Sequence, residues 1–593
     1  MQPGNVYQQR IVQFQAQIAT AKGVSSWLAL GRLVCFLAAL CCGYLYFWYN
    51  MEWSWLLGVL AFLAGFAFFV ARYQKAQDHL RLLQVLLQLN EKELLQVTTH
   101  QATFEDGSRF IDEQHDFSGD LDVFGPSSLY QYVNRTGSLS GSEQLAQALQ
   151  FPLQQAGAIS ATQEVIKTLS GKVDFRQLLT AQATLSDERA GDKQAIRHWL
   201  QVPLEFLPNK LLYALSWGLP VLLWGAILFY VYGGSYYPAL FLVVVNLLLL
   251  RKHSKKVSKQ HEWISGKEKI LQKFSQLLQL VKKESFGNST LLLEQQALAV
   301  AAAAPLARLS RISNALNQRN NMAVGFVLNT FFLYELHCMF SLEKWKQQYE
   351  HQVDSWLDVV ARLEVWNSFA TFSFNHPQYT FPVVSEQDTA LKATGLGHPL
   401  IAAEECVTND CTIGQQANFL IITGSNMSGK STFLRSVGSN LLLALCGAPV
   451  CAVTFTCSPM HIMTSMRIKD SIARHTSYFQ AELLRLQHIV QVLKSGRRVF
   501  IILDEILKGT NSEDKLSGSR SLIEHFLHYN CLGMIATHDL ELGHLETVHP
   551  GRIRNYCFES TIQHDQLYFD YRIREGVARN KNATFLMKQM RII

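Results

Sequence analysis

The stretch "IITGSNMSGKSTFLRS" at 421–436 sets Gly424, Gly429, Lys430 and Ser431 in the order G-x-x-x-x-G-K-[ST]. It follows the apolar run "NFLIIT" and precedes "STFLRSVGSNLLLAL", whose spacing is that of a helix. Glycines in such a turn let backbone N–H groups close around phosphate oxygens at a helix N-terminus. Lys430 then supplies a point charge for the β- and γ-phosphates, and Ser431 a hydroxyl for Mg²⁺. Downstream, "RVFIILDEI" is an apolar strand ending in Asp504 and Glu505. A buried parallel strand presents its last carboxylates where ligands bind. Asp504 is placed to hold the Mg²⁺ through water, and Glu505 to orient or deprotonate an attacking water. A third apolar strand, "CLGMIAT", runs into His538, whose imidazole can hydrogen-bond the γ-phosphate or that water.

Three strand ends brought to one edge require a sheet. From about residue 381, short β-branched runs alternate with helical segments, the pattern of a parallel α/β sheet with crossover helices. Upstream the chain reads as helical. Residues 75–100, 260–285 and 340–368 carry apolar positions three and four apart, as in long amphipathic helices. Four apolar runs interrupt this half, at 33–49, 53–70, 211–232 and about 236–250. Crossing a hydrocarbon layer takes roughly 20 helical residues, so they read as two transmembrane helical hairpins. Arg10, Lys22 and Arg32 precede the first hairpin, Arg72 and Lys75 follow it, and neither tight turn is basic. Both hairpins are therefore expected to begin and end in the cytoplasm. "RKHSKKVSK" at 251–259 reads as a cytoplasmic anchor abutting the last run. A further apolar stretch, 323–341, contains Asn329, Glu335 and His337 and reads as a buried core helix.

The expected domains are thus 1–74 with the first hairpin, 75–210 as the first part of a helical lever domain, and 211–250 as the second hairpin. Residues 251–380 complete the levers, and 381–593 form the phosphate-binding domain. At 593 residues several cores are expected. With 53 basic against 47 acidic residues, the net charge of +6 does not by itself point to nucleic acid. Eleven cysteines without a C-x-x-C pair exclude a zinc site or disulfide scaffold of the usual spacing and fit a reducing compartment. The first residues lack a short apolar core with a small-residue cleavage site, so no removed signal peptide is expected.

Six ordered segments resemble the ATPase core of the MutS family of DNA mismatch-repair proteins. They are "GHPL" at 397, "ND" at 409, "TGSNMSGKSTFLR" at 423, "TSYFQAEL" at 476, "ILDEILKGTNSEDKLS" at 502 and "ATHDLEL" at 536. "LYQYVNRTGSLSGSEQLAQALQFPL" at 129–153 is similar to the segment that precedes the family's lever helices. The resemblance implies an ABC-like P-loop ATPase domain behind an all-α lever domain. It implies that Gly424, Ser425, Asn426, Met427, Ser428, Gly429, Lys430, Ser431 and Thr432 bind ATP, that Ser431 and Asp504 hold Mg²⁺, and that Glu505 and His538 serve hydrolysis. Ser477 would reach the nucleotide of a partner subunit, which implies a homodimer with composite sites. Two glycines of the family's loop after the acidic pair are replaced here by Leu507 and Lys515, which predicts a stiffer loop. The family's mismatch readers carry a Phe-x-Glu wedge, and that tripeptide occurs nowhere in this chain. Where they insert a DNA-gripping clamp, this chain has its second apolar hairpin.

The expectation is a multi-pass cell-membrane ATPase, with its ATPase domain and both termini cytoplasmic. Two readings of its partner stay open. One is DNA or a repair protein; along the levers only scattered Arg308, Arg311 and Arg319 offer positive charge. The other is a membrane-organising or signalling ATPase that switches protein partners without DNA. A transporter is the weaker third, because the four spans have no charged interior residue.

Overall fold

The computed structural model describes residues 2–48, 53–186, 188–264, 267–317, 321–386, 390–415, 417–467, 478–563 and 566–579. They divide into two compact units. The first comprises 1–135, 145–173 and 366–593, and the second 136–144 and 174–365.

The first unit begins with two helices packed along each other, Pro3–Trp48 and Trp53–Thr99. At 1.5 Å per residue each is about 70 Å long, more than twice the hydrocarbon thickness of a bilayer. The apolar runs 33–49 and 53–70 are thus only the distal parts of much longer rods. There Leu33, Leu37, Leu40, Leu57, Leu60 and Phe68 are exposed. Toward the other end the same helices bury Tyr7, Phe14 and Ile18, and Leu80, Leu83 and Leu86. The helix expected over 75–100 is therefore the continuation of the second span.

The rest of this unit is built on two sheets. The larger has the order β10-β9-β4-β8-β7-β6, with β4 (Phe419–Gly424), β6 (His461–Ser465), β7 (Val499–Asp504), β8 (Cys531–Thr537) and β9 (Ile553–Gln563) parallel. Only β10 (Gln566–Glu575) is antiparallel, at the edge beyond β9. β4 and β8 are buried at every position, as strands covered on both faces must be. Ile421, Ile501, Leu503 and Ile535 pack there against Ile489 and Leu493 of the crossover helix Tyr478–Lys494 and Ile523 and Phe526 of the helix Ser512–Phe526. A smaller mixed sheet, not anticipated from the sequence, has the order β1-β5-β2-β3, formed by Val383–Val384, Thr454–Cys457, Leu391–Leu396 and Asn409–Ile413.

The second unit is helical. Lys210–Val231 and Tyr237–Ile264 form a hairpin whose turn contains Gly233 at φ 91°. Leu211, Val221, Leu228, Phe241 and Leu248 are exposed on it. Four helices of the described residues are long and apolar enough to cross a membrane: Pro3–Trp48, Trp53–Thr99, Lys210–Val231 and Thr290–Asn317. The run expected at 236–250 forms the front of Tyr237–Ile264, which turns basic at Arg251 and Lys252. Thr290–Asn317 buries Leu292, Ala299, Ala302, Leu306 and Leu309 against its neighbours, as a core helix does.

The stretch 323–341 is not one helix. It breaks into Met322–Phe332 and Tyr334–Tyr349, bent by 80° where Leu333 adopts φ 48°. Asn329 spans the break, donating to Glu335 Oε1 (2.7 Å) and accepting from the Glu335 N–H (3.0 Å). Phe326, Val327 and Phe332 before the bend are exposed, whereas Leu336, Met339 and Leu342 after it are buried. The buried-core expectation thus holds for the second half alone.

Candidate functional site

β4, β8 and β7 are neighbours in register, with Thr423 beside Thr537 and Asp504 beside Ala536. The phosphate-binding loop, the acidic pair and His538 therefore leave the sheet at one carboxyl edge. The helix Lys430–Leu445 starts at Gly429, whose φ of 101° a side chain would strain, and presents its N-terminal N–H groups to the loop. A Cβ at Gly424 would stand 2.7 Å from the Phe558 carbonyl oxygen, so the loop's root accepts no larger residue. Between these points Ser425, Asn426, Met427 and Ser428 form the turn, with Met427 itself left-handed at φ 65°.

Lys430 is buried and folded back on its own loop, donating from Nζ to the carbonyls of Gly424 (2.9 Å) and Ser425 (2.8 Å). Burial lowers its pKa, while Glu505 and Asp504 raise it. Ser431 Oγ donates to Asp504 Oδ2 at 2.5 Å, joining the hydroxyl and carboxylate that the sequence assigned to one cation. Ser428 Oγ is buried without a hydrogen-bond partner. An unsatisfied hydroxyl inside a loop of backbone donors fits an anion such as a phosphate.

Glu505 follows the strand with φ 51°. Its Oε1 lies 2.5 Å from Nε2 of His538 and its Oε2 lies 3.3 Å from Nζ of Lys508. His538 Nε2 is buried beside this carboxylate oxygen. The His538 imidazole holds the Glu505 carboxyl down to about 2, with Lys508 adding to it against the opposing effect of burial. Two residues on, Leu507 also adopts a left-handed φ of 59°, at a position where a glycine would be unstrained. Its N–H donates to Glu482 Oε1 at 2.5 Å, which fixes the loop onto the helix Tyr478–Lys494.

These groups line a cavity of about 830 Å³ that includes Asn426 to Phe433, Ser436, Asp504, Glu505 and Lys508. Its facing wall is the β2–β3 loop, with His398, Ile401, Cys406 and Val407, together with Asn409, Phe558 and Tyr571. Asn409 pins the bulge in β10, donating to the Tyr571 carbonyl (3.0 Å) and accepting from the Ile573 N–H (2.8 Å). Gly424 and Ser425 lie at the root of the loop and His538 stands behind Glu505. Ser477 lies outside the described residues. Lys508 lies inside the segment 502–517, whose pattern gives no sign of its part in the site. Tyr571 and Phe558 carried no local signal, since strand pairing alone delivers them here.

Residues 420–588 match the family described as MutS domain V. The chain is 28% identical over 268 residues to MutS protein homolog 4 of Homo sapiens, covering 42% of this chain and 26% of that protein. It is 30% identical over 222 residues to the DNA mismatch repair protein MutS of Thermotoga neapolitana, covering 37% and 27%. With the DNA mismatch repair protein MSH6 of Arabidopsis thaliana it shares 35% over 209 residues, 33% of this chain and 15% of that one. The chain thus spans about a quarter or less of the length of these curated relatives. The likeness falls on the sheet, loop and acidic pair just described, and in that region the chain is similar to MutS domain V.

Proposed function

We propose that this chain is a membrane-anchored MutS-like ATPase that binds and hydrolyses ATP as a homodimer, coupled to DNA binding in mismatch repair or a related DNA transaction at the membrane. The observation that carries the reading is the 2.5 Å pairing of Ser431 with Asp504 at the mouth of a glycine-rich loop. The orphaned Ser428 hydroxyl and the 830 Å³ cavity fit a nucleoside triphosphate. Lys430 exchanges the carbonyls of Gly424 and Ser425 for phosphate oxygens, and the N–H groups from Ser425 to Thr432 enclose the phosphates. Ser431 and Asp504 are the residues to hold Mg²⁺, which when bound neutralises phosphate charge. Glu505 positions the attacking water, and His538 positions Glu505. Ser477 completes the site of a partner subunit.

The exposed apolar helix faces support insertion of the apolar parts of Pro3–Trp48 and Trp53–Thr99, and of Lys210–Val231 with the front of Tyr237–Ile264, into the cell membrane. The basic residues outside the turns favour a cytoplasmic ATPase domain. A second reading, a membrane-organising ATPase that switches protein partners without DNA, is favoured by the missing Phe-x-Glu tripeptide and by the apolar hairpin in the clamp position. Salt titration of duplex binding by the detergent-solubilised full chain separates the two. Binding that weakens steeply with salt supports the first, and no saturable binding at low salt supports the second.

A further inference from the structure

Two cysteines meet at the wall of the nucleotide cavity. Cys406 lies in the β2–β3 loop and lines the cavity, and Cys451 follows the P-loop helix Lys430–Leu445, 45 residues away in sequence. A Cβ at Gly397 would stand 2.7 Å from Cys406 Sγ and 2.9 Å from Cys451 Sγ, so both sulfurs converge on the face of one glycine. The two thiols are hydrogen-bonded to each other. The segments that carry them are held together by the P-loop helix. Asn440, fully buried on that helix, donates to the Gly397 carbonyl (2.8 Å) and accepts from the Cys451 N–H (2.7 Å). The Gly397 N–H in turn donates to the Cys451 carbonyl at 2.8 Å.

The pair also differs from the other cysteines in access. Cys338, Cys411, Cys446, Cys457, Cys531 and Cys557 are buried, and Cys35, Cys41 and Cys42 lie in the apolar part of the N-terminal hairpin. Outside that hairpin, Cys406 and Cys451 are the cysteines with partial exposure. The Cys451 thiol and the His398 backbone lower the Cys406 thiol from the ordinary cysteine range against the opposing effect of burial, which favours its thiolate, whereas Cys451 is raised by its bond to Cys406 and by burial.

We propose that Cys406 and Cys451 form a reversible disulfide on reaction with a peroxide, and that the bond fixes the cavity wall and lowers the affinity for nucleotide. The Cys406 thiolate attacks one peroxide oxygen and breaks the O–O bond, giving a sulfenic acid and a hydroxide that takes a proton to become water. The Cys451 sulfur then attacks the sulfenic sulfur, forming the S–S bond as the hydroxyl leaves with the Cys451 proton as a second water. The two thiols lose two electrons in total and the peroxide gains them. A dithiol reductant reverses the bond by exchange. The tie would hold His398, Ile401 and Val407 to the P-loop helix through Cys451, removing the freedom the loop needs to close on a ligand. Its effect on affinity rests on the nucleotide reading above; its chemistry does not.

The test treats the reduced, detergent-solubilised full chain with stoichiometric hydrogen peroxide. Mass spectrometry of non-reduced peptides is expected to find Cys406 joined to Cys451. Affinity for Mg-ATP is expected to fall at least about ten-fold and to return with dithiothreitol. By linkage, bound ATP should shift the dithiol–disulfide equilibrium in a redox buffer toward the reduced pair. Cys451→Ser should bind ATP as the reduced wild type does and lose the peroxide response, and Cys406→Ser should lose the response as well. Peroxide that leaves both thiols free, or carries Cys406 to the sulfinic acid without a link, overturns the proposal, as does a link that leaves ATP affinity unchanged. Because the link is read without nucleotide, absence of ATP binding by the reduced protein would count against the site reading, and the peptide result would still decide whether the bond forms.

Discussion

At the scale of single residues, the charged groups of the site are paired with one another. Lys430 rests on the loop's own carbonyls, Ser431 on Asp504, and Glu505 between His538 and Lys508. His538 and Lys508 hold the Glu505 carboxyl below its ordinary range, so acting as a base in the proposed hydrolysis would require Glu505 to exchange these partners for water and substrate. Glu505→Gln should therefore leave Mg-ATP binding within a few-fold of wild type while lowering turnover by about 10²–10⁴-fold, read by phosphate release. His538→Asn should lower turnover too and shift its acid limb upward, because Glu505 loses the partner that depresses its pKa. An unmoved acid limb would show that His538 does not govern Glu505. The loop, the acidic pair and His538 were legible in the sequence because each is a short motif at the end of one apolar strand. The roles of Tyr571, Lys508 and Cys451 were not, because their positions depend on pairing and packing over long sequence distances.

Individual elements show where local pattern fails. The strands β4, β7 and β8 announce themselves by unbroken apolar runs. The small mixed sheet has strands of two to six residues with no such run. The bend at Leu333 was hidden because leucine is not a residue that favours a left-handed backbone, and the capping by Asn329 and Glu335 that supports it is visible only once folded. Buried polar groups hold the elements. In the first unit, Glu93 pairs with Arg135 and accepts from Asn375 (2.8 Å), whose Oδ1 accepts from Tyr7 OH (2.6 Å). Arg135→Met should destabilise by about 3–5 kcal/mol because Glu93 is left charged and buried, and the double change with Glu93→Leu should recover much of it. Thermal unfolding of the three variants checks this. In the second unit, Glu364 is fully buried and accepts from the Gly137 and Ser138 N–H groups and the Ser138 hydroxyl. Burial raises its pKa to about 7, from an ordinary value near 4.5. A carboxyl raised in the folded state contributes stability that is full below its unfolded pKa and is lost as pH rises through the folded one. Stability should fall between about pH 4.5 and 7 on this account, and Glu364→Gln should flatten that slope. A slope unchanged by the substitution would remove Glu364 as its source.

At the scale of the molecule, two features have to coexist: apolar rods with few buried residues, and a parallel sheet whose carboxyl edge carries the proposed nucleotide site. The exposed Leu, Phe and Trp side chains of the N-terminal hairpin exceed what a water-facing helix tolerates. The protein should therefore sediment with membranes, resist high salt and alkaline carbonate, and dissolve in detergent. Release by salt alone would identify a peripheral protein. Here too the sequence was read in part. It located the apolar runs and their basic flanks, but not that the first two continue without interruption into the rods of the first unit. Amphipathic and apolar helix share one periodicity and no breaker marks the change. The account as a whole depends on triphosphate being gripped at Ser431 and Asp504. The most direct measurement is Mg-ATP binding and phosphate release by the full-length protein in detergent, beside Ser431→Ala. The account predicts saturable binding and steady phosphate release by the wild type, with both lost in the variant. Wild-type protein that neither retains nucleotide nor releases phosphate would contradict it.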